Sequence, residues 1–195
     1  MASLYTLQDY VQDLRAITAQ ETDPERITDR VAPLAKRLAD APGWFRPEFR
    51  ECDPEQGFSL HMLHEEPNHD LAVFLISWLP NRGTLPHNHK TWAVVVNMEG
   101  EEQEISYERL DDGGKPGYAD LKRGETHVMK AGDVARCYPE HIHKVWNVGK
   151  GIAMSLHTYG RHINYTGRSE FDPDAKIERP LKLKIEEGER ANAQA

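Results

Sequence analysis

Near the start of the chain, apolar residues recur at the spacing of a helix. Leu7, Tyr10, Val11, Leu14 and Ile17 fall on one face, which predicts a helix over roughly residues 6–20. Thr6 is placed to cap it, with Asp9 three residues on. A second helix is expected to start after Asp23, with Pro24 in its first turn and an apolar stripe through Ile27, Val31, Leu34 and Leu38. Pro33 interrupts that stripe, so a kink or two short helices are expected there. From about residue 57 the pattern changes to short β-type runs separated by turn residues. The candidate strands are 58–64, 71–79, 91–98, 102–109, 126–130, 134–138, 142–147 and 151–159. Eight short strands after a helical preamble point to an all-β antiparallel sandwich or jelly-roll barrel. The tail after Asp172 is polar and charged, and is expected to lie partly over the barrel and then fray.

Composition narrows the function classes. A chain of 195 residues is most simply a single domain, 1–195, with a helical preamble at 1–45, a barrel at 57–160 and a C-terminal loop and tail at 161–195. The formal net charge of −8 argues against a nucleic-acid partner, which needs a basic face to displace phosphate counterions. The apolar run 71–79 is too short to span a bilayer, so no membrane partner is expected. The first six residues lack the basic segment and apolar core of a signal peptide, and two cysteines, Cys52 and Cys137, make no disulfide framework. These features read as a cytoplasmic protein. Ten histidines is the one unusual count.

The placement of those histidines carries the chemistry. His87-Asn88-His89 sets two imidazoles at i and i+2, which on a strand share a face. Gly132-Asp133, Pro139, His143 and Asn147 form a second cluster, in which a hairpin delivers a third imidazole. In these two clusters the sequence resembles the cupin superfamily. Gly83, His87, His89 and Gly100 match its first motif, and Gly132, Pro139, His143 and Asn147 match its second. The resemblance implies a double-stranded β-helix with metal ligands His87, His89 and His143. His141 competes for the third place, but the spacing from Pro139 and to Asn147 favours His143. The Glu ligand of the first motif falls on Ala93 or Val94, which leaves a three-histidine set.

A three-histidine cupin is similar to the thiol dioxygenases, the family of cysteine dioxygenase and 3-mercaptopropionate dioxygenase. Ser155, His157 and Tyr159 resemble that family's outer-sphere relay, and period two sets all three on one strand face. Arg168 resembles the arginine that pairs with a substrate carboxylate, and aligning on Trp78 puts His61 at a second substrate-contact position. Val94 stands where some relatives carry the cysteine that cross-links to the relay tyrosine, so no cross-link is expected. The resemblance implies an Fe(II) enzyme that oxidises a small carboxylate-bearing thiol to its sulfinate with O2. The alternatives are another cupin metalloenzyme, a carbon-skeleton dioxygenase or isomerase, or a cupin that binds a small molecule without catalysis. Plainer readings also exist: Ser155, His157 and Tyr159 as an edge strand, Arg168 as a loop charge paired with Glu170, and His61 as an ordinary strand residue.

Overall fold

The computed structural model of the protein describes residues 4–186. Helix α1, Leu7–Thr18, starts from a capping box in which Thr6 Oγ1 accepts from Asp9 N at 3.1 Å and Asp9 Oδ2 accepts from Thr6 N at 2.9 Å. Helix α2, Pro24–Ala39, is capped by Asp23 and runs through Pro33 as one continuous helix, not as two. The reason is where Pro33 points. Both it and Asp29, whose carbonyl the ring deprives of a donor, are on the exposed face, so water can satisfy that carbonyl.

Among the described residues ten strands follow: β1 Phe58–Glu65, β2 Ala72–Trp78, β3 Ala93–Glu99, β4 Glu101–Arg109, β5 Leu121–Lys130, β6 Val134–Cys137, β7 Ile142–Asn147, β8 Ala153–Tyr159, β9 Ser169–Asp172 and β10 Ile177–Pro180. Five of them form one antiparallel sheet in the order β1-β2-β8-β3-β6. The facing side is built from β5-β4-β7 and the β10-β9 ribbon. Residues 82–88 join the two parts. Thr84 N donates to Val145 O, His87 and His143 exchange backbone bonds at 2.8 and 3.0 Å, and Asn88 N donates to Ser169 O. The result is an all-β double-stranded β-helix with an N-terminal helical segment.

The central strands of the five-stranded sheet are buried on both faces. Phe74, Ile76, Trp78, Ala93 and Tyr159 point into the barrel, while Val73, Val94, Val96 and Leu156 point out. Tyr10, Leu14, Val31, Ala35 and Leu38 of the two helices cover that outer face. This explains why β2 and β8 read as nearly continuous apolar runs, with all seven residues of each buried. The tail is more ordered than its polarity suggests. Residues 177–180 form a strand, and beyond it Glu186 exchanges backbone bonds with Leu60 and Met62 along the open edge of β1. The expected fraying at the last residues lies outside the described part of the chain.

Candidate metal centre

His87, His89 and His143 meet inside the barrel, and all three are buried. His143 projects from β7. His87 sits in the 82–88 segment between β7 and β9, and His89 follows just beyond it. The sequence put the first pair on a regular strand, but the segment makes only isolated bridges and turns sharply at Lys90, which has a φ of 54°. Asn88 holds the turn in place, because its Oδ1 accepts from Ser169 N at 2.9 Å.

The protonation pattern of the rings fits a bound cation. His89 Nε2 lies 3.3 Å from His87 Nε2 and 3.3 Å from His143 Nε2. On their far sides, His87 Nδ1 donates to Leu85 O at 3.0 Å and His143 Nδ1 donates to Glu104 Oε1 at 2.7 Å. A neutral imidazole that donates from Nδ1 keeps a bare lone pair on Nε2. Lone pairs therefore converge on one point, an arrangement that repels unless a cation stands between them. An edge of 3.3 Å suits nitrogens each about 2.1 Å from a common metal ion. Burial first, then the neighbouring imidazoles and Arg168, pushes His87 and His89 well below the usual histidine range, so both stay neutral and ready to bind. His89 Nδ1 has no partner among the described residues.

No carboxylate enters this inner group. Glu104 stands behind His143 and orients it. Burial would raise its pKa, but the hydrogen bond it accepts from His143 holds it lower. Glu104, Cys137, His141 and His143 are a second set of possible ligands. There, however, the Glu104–His143 hydrogen bond already occupies two of the four groups.

Ser155, His157 and Tyr159 form a chain on the inner face of β8. Ser155 Oγ lies 2.8 Å from His157 Nε2, and His157 Nδ1 lies 2.9 Å from Tyr159 Oη. All three are buried, which excludes the edge-strand reading, since β8 runs between β2 and β3. Burial depresses His157 to about 3, and burial pushes Tyr159 up. The Tyr159 ring meets His89 edge-on, with centroids 5.3 Å apart.

Arg168 closes the same cavity at 2% exposure, and its Nε and Nη2 have no partner among the described residues. Glu170 does not neutralise it, because Glu170 bonds Arg179 at 2.6 Å. Desolvation lowers Arg168 to about 10, so it is still a cation at neutral pH. The cavity is tight, about 20 Å³, and Phe58, Ile76, Trp78 and Val145 complete its walls.

Two positions differ from expectation. His61 is not in this cavity. Alternation along β1 turns Phe58, Leu60 and Met62 inward and His61 outward, where its Nε2 lies 3.1 Å from Glu51 O in a separate groove of about 700 Å³. Val94 likewise faces the helices, and the inward residue paired with Tyr159 is Ala93. Neither carries a thiol. Sequence reasoning missed Glu104, Asn88 and the buried Glu102. The only sequence signal for the two glutamates is their i, i+2 spacing on β4.

No family model matches the sequence. Among solved structures, oxalate oxidase in complex with the substrate analogue glycolate is similar at 21% identity and a TM-score of 0.45, over 60% of this chain and 59% of that one. The Schizosaccharomyces pombe Cnp3 cupin domain gives 12% identity and a TM-score of 0.44, over 63% of this chain and 70% of that one. Oxalate decarboxylase from Bacillus subtilis gives 22% and 0.37, over 47% of this chain and 22% of that one. The chain thus spans about three-fifths of the oxalate oxidase chain it matches. Two facing antiparallel sheets around an inward histidine cluster give this chain the cupin fold.

Proposed function

We propose that the chain is an iron(II) thiol dioxygenase that oxidises a small carboxylate-bearing thiol, such as 3-mercaptopropionate or cysteine, to its sulfinate. The observation that carries this reading is the buried guanidinium of Arg168, whose Nε and Nη2 have no partner among the described residues, in the same cavity as a carboxylate-free histidine triad. A buried cation without a partner is costly, and an anionic ligand group removes that cost. Arg168 would fix a substrate carboxylate by charge-assisted hydrogen bonds. Three neutral imidazoles leave the charge of a bound cation uncompensated, so they favour a substrate that arrives as a thiolate. Iron(II) held by the Nε2 atoms of His87, His89 and His143 would supply the redox centre at which thiolate and O2 exchange electrons.

The reaction balances without a reductant: R–SH and O2 give R–SO2H, with both oxygen atoms on sulfur. Sulfur loses four electrons and O2 gains them. Arg168 and the apolar walls hold the substrate in one orientation and exclude water, which supplies proximity. Tyr159 presents its phenol to the cavity, backed by His157 and Ser155. Oxygen uptake by the iron-loaded chain, measured over a panel of small thiols, diketones and catechols with sulfinate quantified, tests this directly. One sulfinate per O2 is expected for a carboxylate-bearing thiol. The Arg168 clamp reads the carboxylate and not the sulfur, so turnover of a non-thiol carboxylate alone would replace this reading with another cupin metalloenzyme activity.

A further inference from the structure

The β6–β7 hairpin brings a second group of metal-binding side chains up behind His143. Cys137 is the last residue of β6, and His141 stands just before β7. The turn between them is held at two points, where His141 N donates to Tyr138 O and Lys90 N donates to Pro139 O, each at 3.0 Å. Glu104 reaches the same place from β4. The ligand atoms of Glu104, Cys137, His141 and His143 all lie within 4.8 Å of one another. Glu104, Cys137 and His141 take no part in lining the cavity that holds the triad and Arg168.

These three groups face each other without bonding. Cys137 Sγ and the His141 ring make no hydrogen bond among the described residues. His141 Nε2 stands 3.9 Å from Glu104 Oε1, too far for one. Glu104 uses Oε1 to accept the His143 Nδ1 proton at 2.7 Å, and its Oε2 makes no hydrogen bond among the described residues. No lysine or arginine among the described residues pairs with this carboxylate. A thiol, an imidazole and a carboxylate oxygen are therefore idle around one spot. Glu104 and His141 are only partly buried, so that spot is reached from solvent without passing the triad.

A cation would satisfy all three at once. Zinc bonds of about 2.0–2.3 Å space tetrahedral ligands about 3.3–3.8 Å apart, so the 3.9 Å edge needs little closing. The sulfur sets the class of ion, because thiolate favours soft metals over those that oxygen ligands prefer. On binding, Cys137 releases its proton to solvent and gives the metal a sulfur lone pair. We propose that Glu104, Cys137 and His141 form a second metal site, separate from the triad, for a soft divalent cation such as Zn(II), with water in the fourth position. Glu104 then serves two centres, with one oxygen on the His143 proton and the other on this ion. The site does not depend on what reaction the triad performs.

Anaerobic titration of the metal-free full chain with Co(II) tests it. The readouts are the thiolate-to-cobalt charge-transfer band in the near ultraviolet and the cobalt retained after desalting. The parent should hold cobalt at both sites and show the band. Cys137→Ser should lose the band and keep the cobalt of the triad. His141→Ala, at a partly exposed position where folding is less at risk, should lose it at cobalt concentrations that saturate the parent. Cys52→Ser, which removes the other thiol, and His89→Ala, which breaks the triad, should both retain it. The inference is overturned by a parent without the band, by a band that survives Cys137→Ser or His141→Ala, or by one lost in Cys52→Ser or His89→Ala. None of these readouts involves turnover, so a chain that oxidises no thiol would sink the proposed reaction and leave this site standing.

Discussion

At the scale of single residues, the site is made of groups that are uncomfortable without a ligand. Arg168 is the clearest case, a cation at 2% exposure with two idle guanidinium nitrogens. Arg168→Met keeps the volume and removes the charge, so it should raise the melting temperature of the ligand-free protein while weakening the carboxylate clamp. Charge-assisted hydrogen bonds contribute about 1.5–3 kcal/mol, so kcat/KM for a carboxylate-bearing thiol should fall roughly 10- to 150-fold. Steady-state kinetics beside a thermal melt would read both effects, and a variant that is less stable and equally active would refute the assignment. Glu104 acts one step back, by fixing the Nδ1 proton of His143 at 2.7 Å. Glu104→Gln can reverse that hydrogen bond and lower the basicity of the ring. Metal affinity, followed by competition with a chelator, should weaken about 10- to 100-fold. An unchanged affinity would mean that Glu104 only fills space.

At the scale of elements, the centre depends on how residues 82–88 lie against β7. Gly83 sits so close that a Cβ would meet Val145 O and would stand 2.8 Å from Trp146 Cα. Gly83→Ala must therefore push the segment away from β7, and His87 with it, away from His143. The expected outcome is loss of metal loading together with a destabilisation of about 1–3 kcal/mol, checked by elemental analysis and denaturant unfolding. Metal content equal to the parent's would show that the segment can shift without carrying His87. The same element explains what the sequence could and could not disclose. The histidine clusters and the alternation on β8 are local signals, i, i+2 spacings and turn residues at fixed offsets, and the resemblance to known motifs is what attached candidate roles to them. Glu104 was not legible, because it acts on a residue 39 positions away, and on β4 alone it looks like any polar strand residue. His61 and Val94 were misplaced for a third reason, since a one-residue slip in alignment turns a strand side chain to the opposite face. The tail does lie partly over the barrel, and its strand, Ile177–Pro180, could not be located in the sequence because it takes its order from pairing with β9 and not from its own apolar content.

At the scale of the whole molecule, the barrel's polar interior must leave a mark on stability. The helices and the two-sided sheet supply an apolar shell, with Tyr10, Leu14, Val73, Val94 and Leu156 in one cluster, and inside it the fold holds groups in charge states they would not keep in an unfolded chain. His157 is depressed from 6.5 to about 3, so as pH falls through that window the unfolded chain takes up a proton that the fold refuses, and stability drops. His61, His141 and His162 are lowered chiefly by burial and add to the same acid-side loss. Glu102 works in the opposite direction. Its pKa is raised from 4.5 to about 8, so across that interval the fold holds a proton that the unfolded chain has released, and stability falls as pH rises. Each such group contributes a slope of about 1.4 kcal/mol per pH unit inside its window. The histidine contributions end near 6.5, above which Glu102 acts alone among these groups, so stability should peak near that value and decline toward pH 8. Urea unfolding at half-unit steps between pH 6.5 and 8 should show that decline in the parent and a flat line in Glu102→Gln. Parallel slopes in the two proteins would mean that Glu102 is ionised in the fold, and that the apolar shell tolerates a bare carboxylate at its centre.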